Sequence, residues 1–392
     1  MIKTWKRIPR LKTLDTGRTR ILRIVARMNV GGPAIQITQL MEHLSDANFE
    51  QLLLTGQCDE GEMDYLKLNK ISLRSKQIAG LGRSIGIRSD LQAFFQIRRI
   101  MREFKPDIVH THTAKAGFLG RISSLTLFAN HKRVHTFHGH LLYGYFGKFT
   151  LKLVIFAEKF LAYQSHALVS VGETVKYELI EAGIGRPEIY NVINPGITIQ
   201  EIASKESSLR YFGLEEHPFT VGWIGRLVEV KAPSRILEIA RLSLRGGKRM
   251  RFLIIGDGPL KESLRLEAQK EGLPIEFLGW QSQIEKVMPM LDVVLLTSIN
   301  EGTPISIIQS QMSGVPVVAT NVGSVSEVLL HGISGYCMKY SAEVFYATLL
   351  QLIDDSDLRE SMGRKAKEFS QDKFSLGKFI EQYTHIYNEL IN

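Results

Sequence analysis

The sequence from Asp292 to Glu327 reads DVVLLTSINEGTPISIIQSQMSGVPVVATNVGSVSE, and its pattern is the strongest indication of the fold class. Residues Asp292–Ser298 form an apolar run without polar alternation, which is typical of a parallel strand covered on both faces. After a short turn, Pro304 suits the start of a helix over Ile305–Ser313. Val315–Ala319 then predicts the next strand. The stretch therefore predicts one strand–loop–helix–strand unit of an open α/β sheet.

The loop of this unit is a candidate binding site. Open α/β sheets bind ligands at the carboxyl ends of their strands, which is where Glu301, Gly302 and Thr303 fall. The first-turn amides of the following helix also favour an anion. Taken alone, the segment is equally consistent with an ordinary loop that carries a surface Glu.

The order strand, E-G-x-P, amphipathic helix and G-x-P-V-V-A-T resembles the nucleotide-sugar site of retaining glycosyltransferases of family 4, which have the GT-B fold. The resemblance implies that Glu301 contacts the transferred sugar, with Gly302, Thr303 and Pro304 beside the donor. The family has a second Glu eight positions after the first, and Gln309 stands there in this chain. A neutral acceptor is about half as strong as a charged one. Either nucleotide affinity is lower here, or the protein binds without turnover.

Composition places the chain among two-domain soluble proteins. It has 392 residues, 44% of them hydrophobic and 23% charged, which is long for one core. Cys58 and Cys337 lie far apart, outside any zinc or disulfide pattern, so a reducing cytoplasm is expected. The basic segment Met1–Arg20 lacks the apolar core of a secretory signal, and no membrane span is expected.

Positive charge is concentrated in the first half of the chain. Residues 1–197 contain 28 Lys and Arg against 16 Asp and Glu, a net of +12, whereas residues 198–392 carry 21 against 24, a net of −3. A basic half attracts an anionic membrane or nucleic acid. No aromatic-plus-basic signature accompanies the charge, so nucleic acid is not expected as a partner.

Strands and helices alternate through the first half, which predicts a parallel doubly wound sheet. The first strand, Ile21–Ala26, is followed by the pair Gly31-Gly32 and a helix. This arrangement suits either close phosphate approach or a plain tight turn. In the family-4 resemblance, Gly31 and Gly32 match the glycine loop at the donor. The basic, glycine-punctuated stretch Ser72–Ser89 is expected to be a mobile loop.

Two histidine clusters interrupt the first half, namely His110-Thr-His112 and His135-Thr-Phe-His138-Gly-His140. No carboxylate or cysteine accompanies them in a metal-ligand spacing, so no metal is expected. His138 with Gly139 matches the family's T-x-H-G motif, which implies a histidine facing the transferred sugar. For His110, His112 and His140, cleft-lining and structural roles stay open.

The second half opens with a strand, and then Arg226 and Lys231 lie five residues apart on a strand-to-helix loop. Such a pair suits one diphosphate and matches the family's G-R-x-x-x-x-K signature; solvated surface charges are the alternative. The turn Gly256-Asp-Gly258-Pro also follows a strand, and it is expected at the donor site. Asp257 is an equally good helix cap.

The resemblance covers residues 21–392 and implies two Rossmann-like doubly wound domains facing across a cleft. The expected divisions are a basic flexible extension over 1–20, an acceptor domain over 21–197, a nucleotide-sugar domain over 198–375, and a terminal helix over 376–392 that packs back on the first domain. The implied reaction transfers a sugar, with retention, from a UDP-type or GDP-type donor to an acceptor hydroxyl without metal or cofactor. The implied catalytic residues are Glu301, His138, Arg226 and Lys231.

Three alternatives come from other classes. A non-catalytic sugar-nucleotide-binding protein of the same fold is favoured only by Gln309. The Arg226 and Lys231 pattern does not support an epimerase of similar fold. A Rossmann dehydrogenase requires G-x-G-x-x-G after the first strand, and 29–34 does not supply it.

The location of the acceptor is inferred from charge and apolarity together. In the stretch Leu141–Phe156, aromatic and aliphatic residues flank Lys148 and Lys152. An apolar patch edged by lysines suits an anionic bilayer; burial of the same residues in a core is the alternative. We therefore expect a lipid-linked saccharide acceptor and a cytoplasmic protein, peripheral on the inner face of the cell membrane.

Overall fold

The structure, a computed structural model, describes residues 17–392 except residues 47, 83, 85, 140–147, 200 and 248–249, and residues 148–150 by their backbone alone. The predicted extension over 1–20 therefore falls largely outside the described residues, as do His140 and the first part of the Leu141–Phe156 stretch.

In the first domain, the described residues form seven strands and six α-helices before the chain crosses to the second domain. The strands are β1 (Thr19–Arg27), β2 (Phe49–Gly56), β3 (Ser75–Gln77), β4 (Ile108–His112), β5 (Lys132–Phe137), β6 (Ala167–Ser170) and β7 (Tyr190–Val192). The helices are α1 (Gly32–His43), α2 (Tyr65–Leu68), α3 (Ile87–Phe104), α4 (Ala114–Leu125), α5 (Lys148–Tyr163) and α6 (Glu173–Glu181). The strands form one parallel sheet in the order β3-β2-β1-β4-β5-β6-β7.

The second domain has the same arrangement, with six strands among its described residues. Its strands are β8 (Thr220–Ile224), β9 (Arg251–Ile255), β10 (Ile275–Gly279), β11 (Val293–Leu296), β12 (Val317–Thr320) and β13 (Gly335–Met338). The helices from here on are α7 (Lys205–Phe212), α8 (Ser234–Arg245), α9 (Lys261–Lys270), α10 (Ile284–Val287), α11 (Ile305–Met312), α12 (Val325–Val328), α13 (Ala342–Asp354), α14 (Ser356–Lys373) and α15 (Leu376–Ile391). The sheet is parallel, in the order β10-β9-β8-β11-β12-β13.

These sheets confirm the predicted fold class, two Rossmann-like domains that face each other across a cleft. In both sheets the strand order reverses beside the first strand of the domain, and this reversal leaves a crevice at the carboxyl ends of the strands. The predicted domain limits at 197/198 and 375/376 stay predictions.

The stretch Ser72–Ser89 differs from its prediction as a mobile loop. Residues Ser75–Gln77 form the edge strand β3, which pairs with β2, and α3 already begins at Ile87. Between these elements, Lys115 donates to the carbonyls of Gly80, at 2.9 Å, and Ser84. The strand is too short for its pattern to stand out in the sequence.

Along each strand of the first sheet, successive side chains point to opposite faces, so they pack in two different hydrophobic cores. Leu22 and Val109 face α3 and α4, whereas Ile21 and Ile108 face the other side of the sheet. There the last helix, α15, contributes Phe379, Ile386 and two tyrosines to the core of the first domain. The carboxyl terminus of the chain is thus part of the first domain's packing.

A buried polar cluster lies between this last helix and the first sheet. The guanidinium of Arg23 is fully buried and donates to Gln51 Oε1 at 3.0–3.1 Å and to the hydroxyl of Tyr387 at 2.8 Å. It also lies 2.9 Å from Nδ1 of His110, which is 2.7 Å from the Tyr387 hydroxyl. A guanidinium only donates, so His110 Nδ1 accepts. These partners of Arg23 are all neutral.

The two chain crossings between the domains are joined to each other. The N–H of Ile197 donates to the carbonyl of Phe374 at 2.9 Å, and Ile197 forms a bridge with Ser375. Gly196 lies so close to α15 that a Cβ there would be 2.4 Å from Cβ of Phe379. The pairing holds the start of α15 beside the end of the first domain.

The buried arginine cluster predicts that removing one hydroxyl group lowers the stability of the protein. Tyr387→Phe removes the hydroxyl that accepts from Arg23, so a buried charged donor loses a partner, and we expect a loss of about 1–3 kcal/mol in the free energy of unfolding. Urea titration of the purified protein measures it. Tyr177→Phe, at an exposed tyrosine, is the matched control. Equal stability of both variants would contradict the assignment.

Candidate active site

Glu301 lies at the carboxyl edge of the second sheet and is held by two partners. It is only 6% exposed. Its Oε1 accepts from Nζ of Lys231 at 2.5 Å and from the hydroxyl of Ser298 at 2.6 Å. The structure therefore brings together two of the four predicted catalytic residues, which are 70 positions apart in sequence.

Thr297, which the sequence analysis did not single out, positions the loop that carries Lys231. Its hydroxyl bonds the carbonyls of Lys231 and Ala232 at 3.3 and 3.0 Å, and it accepts from Nε1 of Trp223 at 3.0 Å. Ala232 adopts a left-handed conformation with φ of 44°, which is uncommon for a residue with a Cβ. The sequence feature that could have indicated this role is a polar threonine near the end of the apolar run 292–298.

Arg226 follows the adjacent strand, β8, and is half-buried. Within the part of the chain that the structure describes, no carboxylate or other side chain binds its guanidinium. It is thus a cation at the carboxyl edge of the second sheet that forms no ion pair with the described residues.

Gly256 and Gly258 are explained by backbone packing. A Cβ on Gly256 would lie 1.8 Å from the carbonyl oxygen of Gly225, and one on Gly258 would lie 2.6 Å from that of Leu227. Both residues have positive φ, 150° and 155°. The two loops at this edge approach each other so closely that a side chain does not fit, which accounts for these glycines without a ligand.

The loop of Glu301 meets the first domain directly across the cleft. A Cβ on Gly302 would lie 2.6 Å from the carbonyl oxygen of His138 and 2.8 Å from Cα of Gly139. The hydroxyl of Thr303 donates to the carbonyl of Val171 at 2.6 Å. Gly302 is therefore required for the contact that places His138 beside the Glu301 loop.

The predicted glycine loop of the first domain lies at the same edge. A Cβ on Gly32 would lie 3.5 Å from Cδ1 of Ile305, the first residue of α11. A Cβ on Gly31 would meet only Pro33 and Asn29, at 3.9 and 4.0 Å. Gly32 thus faces the second domain, while the space beside Gly31 is more open.

A second contact across the cleft is made by Glu327, to which the sequence analysis assigned no role. Its two carboxylate oxygens accept from the backbone N–H groups of Glu173 and Thr174, each at 2.6 Å. These amides begin α6 in the first domain, where helices favour negative charge. Gly172 leaves the required room, because a Cβ there would lie 2.9 Å from Glu327 Oε2.

His138 is paired with His112, a residue for which the sequence left two roles open. Nε2 of His138 lies 2.9 Å from Nδ1 of His112. Burial lowers the pKa of His138 to about 3. Burial also lowers the pKa of His112 well below its ordinary value, with further contributions from His110, His138 and Arg23. Both imidazoles are therefore neutral near pH 7, and one of the facing nitrogens carries the shared proton.

The other ring nitrogen of His138 is available for a ligand. Nδ1 is buried and has no hydrogen-bond partner among the residues described. A neutral imidazole nitrogen in this position can accept from, or donate to, a hydroxyl group. It cannot act as a permanent positive charge.

Helix α11 begins at the site and carries Gln309 one turn further on. Pro304 is the N-cap, so the first amides of the helix point back toward the Glu301 loop. The side chain of Gln309 is half-buried and has no hydrogen-bond partner within the described part of the chain. The neighbouring Gln311, by contrast, is fully buried and donates to the carbonyl of Val328 at 2.5 Å.

Across residues 17–392, apart from the positions that the structure does not describe, no three His, Cys, Asp or Glu side chains are grouped so as to hold a metal ion. In the same residues, no helix is both long and apolar enough to span a bilayer.

Two Rossmann-like domains that meet at a charged site are the architecture of GT-B transferases, and comparison with known families identifies which of these transferases the chain resembles. Residues 30–201 match the family model described as Glycosyltransferase Family 4, and residues 204–369 match that of glycosyl transferases group 1. The chain belongs to this family of glycosyltransferases. The predicted resemblance is thus confirmed.

Curated relatives are similar over most of their length. The UDP-Gal:alpha-D-GlcNAc-diphosphoundecaprenol alpha-1,3-galactosyltransferase of Escherichia coli is 25% identical over 82% of this chain and 85% of its own. The capsular polysaccharide biosynthesis glycosyltransferase CapM of Staphylococcus aureus is 23% identical over 84% of this chain and 88% of its own.

Among solved structures, the Anabaena protein HepE in complex with UDP and glucose superimposes with a TM-score of 0.81 at 18% identity, covering 95% of this chain and 100% of HepE. This likeness agrees with the two-sheet architecture described above.

The neutral histidines predict a stability that falls as the pH is lowered. The pKa of His138 is lower in the folded protein than the ordinary value of 6.5, so the unfolded chain binds more protons below pH 6.5 and folding loses stability as the pH falls from there toward 3. For His138 alone we expect a loss of roughly 2 kcal/mol between pH 7 and pH 5.

Urea unfolding at the two pH values measures this loss. The His138→Asn variant should show a smaller fall than the wild type, since one buried imidazole is missing. If the two proteins lost the same free energy, His138 would not be buried in its neutral form.

Proposed function

We propose that the protein is a retaining glycosyltransferase that moves a sugar from a nucleoside-diphosphate donor, of UDP or GDP type, to a hydroxyl group of a lipid-linked saccharide. It works without a metal ion or cofactor, in the cytoplasm at the inner face of the cell membrane. The product belongs to cell-surface polysaccharide or glycolipid synthesis.

One observation carries the proposal, namely the position of the Lys231–Glu301 pair. The pair lies at the carboxyl edge of the second sheet, and the next residue, Gly302, is pressed against His138 and Gly139 of the first domain. The carboxylate and cation thus lie on the loop that meets the backbone of His138, whose imidazole is neutral. A surface Glu in an ordinary loop would have neither the buried pair nor the contact across the cleft.

The cations of the site supply the electrostatic part of catalysis. As the bond between sugar and diphosphate breaks, negative charge grows on the leaving group. Arg226 brings a guanidinium that no side chain of the described residues binds. Lys231 is held in place by Glu301 and by the hydrogen bond of Thr297 to its loop. The first amides of α11 add partial positive charge. Preorganised donors of this kind can take the place that a metal ion has in other transferases.

The proposed reaction does not need a separate general base. The bond between the anomeric carbon and the diphosphate oxygen breaks with its electron pair going to that oxygen. The acceptor hydroxyl forms the new bond on the same face of the sugar, and its proton passes to the leaving diphosphate oxygen. Retention is proposed from the family's E-G-x-P site, and it fits the alpha-1,3 product in the name of the Escherichia coli relative.

Glu301 and His138 orient the sugar in this scheme. The Glu301 carboxylate accepts from hydroxyl groups of the transferred sugar, and Lys231 and Ser298 fix its direction. His138 positions the sugar through Nδ1, because its neutral ring and low pKa make it a hydrogen-bonding group rather than a charge. Gly31, Gly32, Gly302 and Thr303 lie along the donor, where the backbone can approach.

The acceptor is assigned from the relatives and from charge. The Escherichia coli relative is named for an acceptor linked to diphosphoundecaprenol, and the Staphylococcus aureus relative for capsular polysaccharide. The first half of this chain has a net charge of +12 by its Lys, Arg, Asp and Glu content. Such a charge favours an acceptor with a phosphate group at an anionic surface.

A Glu301→Gln variant tests the catalytic assignment. Glutamine keeps the size of the side chain but removes its charge, so transfer should fall by on the order of a hundredfold or more, as for loss of one preorganised group. The assay follows release of free nucleoside diphosphate in excess EDTA. UDP-galactose with GlcNAc-diphospho-lipid is the first pair tested, followed by other UDP and GDP sugars.

The control for this assay is Glu262→Gln, which removes a surface carboxylate paired with Arg265 on α9. It should keep the wild-type rate. Full activity of Glu301→Gln would remove Glu301 from the site, and activity that required added Mn²⁺ would overturn the role given to Arg226 and Lys231.

Gln309→Glu tests the departure from the family's second Glu. If this position faces the ribose, a charged acceptor should strengthen the hydrogen bond by about 1 kcal/mol and so lower the Kd for nucleotide by roughly fivefold. Calorimetric titration with UDP and GDP measures it. Gln311→Glu is the contrasting variant, since it buries a charge and loses the bond to Val328, and its melting temperature should fall. A similar fall for Gln309→Glu would mean that Gln309 is structural.

The second candidate function is sugar-nucleotide binding without transfer, and Gln309 is the observation that favours it. In that case nucleotide would bind, but no donor–acceptor pair would release free diphosphate. The same assay therefore separates the two functions.

A further inference from the structure

The outer side of three neighbouring helices in the first domain exposes an unusual number of large apolar side chains. Helix α3 packs on α4, and α4 packs on α5. On α5, Leu153, Phe156 and Phe160 are 56%, 75% and 51% exposed. Their spacing of three and four residues places them on one side of the helix. A water-facing helix would carry polar groups there.

Helix α3 has a second stripe of the same kind. Ile87, Leu91 and Phe95 are 81%, 51% and 63% exposed, and their spacing of four residues keeps them on one side of α3. On α4, which lies between the two stripes, Phe118 is also exposed, at 44%. We call this surface the α3–α5 face, defined by residues Ile87, Leu91, Phe95, Leu153, Phe156 and Phe160.

Charge around the α3–α5 face has one sign. The three helices contain nine Lys and Arg residues and three acidic residues. Each acid is already paired, Asp90 with Lys115, Glu103 with Arg99, and Glu158 with the buried Arg121. Lys152 and Lys159 are exposed along one edge of the α5 stripe. The field at this face is therefore positive.

We propose that the α3–α5 face docks on a bilayer that contains anionic lipid. Exposed aromatic and aliphatic residues edged by lysines suit the zone between headgroups and acyl chains, whereas a second copy of this chain would bring two positive faces together. The proposal rests on the proposed function, since a lipid-linked acceptor has to be reached at a membrane. It adds the surface by which the protein reaches it.

Vesicle flotation tests the docking face with the full-length protein and with neither donor nor acceptor present. The protein should float with vesicles of phosphatidylglycerol and phosphatidylcholine, and less with phosphatidylcholine alone. High salt should release it as the charges are screened. Lys152→Ala/Lys159→Ala should lower the bound-to-free ratio on the order of tenfold or more, at roughly fivefold per lysine.

The apolar part is tested with Leu153→Glu/Phe156→Glu, which should lose most of its binding. Its matched control is Leu244→Glu/Leu266→Glu in the second domain, where both leucines are about equally exposed, at 52% and 53%. The control should float like the wild type, and circular dichroism of all variants should match. Lys365→Ala/Lys367→Ala on α14 serves as the charge control.

Failure of the docking proposal differs from failure of the proposed function. Transfer to a detergent-solubilised acceptor without flotation would overturn the docking face alone, and flotation without transfer would overturn only the function. Equal flotation of the α5 variants and their controls would overturn the face. A different result would also overturn it: a wild-type dimer in sedimentation analysis, a monomer for Leu153→Glu/Phe156→Glu, and equal flotation of the two proteins.

Discussion

The contact between Gly302 and the backbone of His138 and Gly139 is the constraint on which the cleft depends. At 2.6 Å from a hypothetical Cβ to the His138 carbonyl, only glycine allows the two strand-end loops to meet. This approach brings the loop of Glu301, on one domain, against the backbone of His138 on the other. The bonds of Thr303 to Val171 and of Glu327 to the start of α6 hold the same arrangement on either side.

The interior of the first domain supports this site through polar groups rather than apolar packing alone. Arg23 is buried among neutral partners, and its charge helps to lower the pKa of His110 and His112 below their ordinary values, after burial itself. The histidine that faces the cleft is bonded to His112. Since Tyr387 belongs to the last helix, the carboxyl terminus of the chain contributes to the environment of the site.

Glycines at the edge of the second sheet show that one sequence pattern can have two physical causes. The sequence analysis assigned Gly256 and Gly258 to donor binding because they follow a strand. The structure shows that both are needed where the backbone of Gly225 and Leu227 passes. A ligand can still lie beyond them. For Gly302 the close approach is between domains, and for Gly31 the neighbouring space is more open.

The amino-acid pattern was enough to predict parallel α/β sheets, since apolar runs without polar alternation, separated by regularly spaced helices, are typical of them. It also indicated Glu301, Arg226 and Lys231 as site candidates, because they lie in loops after strands, and the resemblance to the T-x-H-G motif added His138. It did not reveal the edge strand β3, whose three residues carry too little pattern. Only the tertiary structure decided that Lys231 pairs with Glu301, that Thr297 and His112 support them, and that Glu327 reaches the other domain. These contacts join residues far apart in the chain, and their partners are set by packing rather than by local pattern.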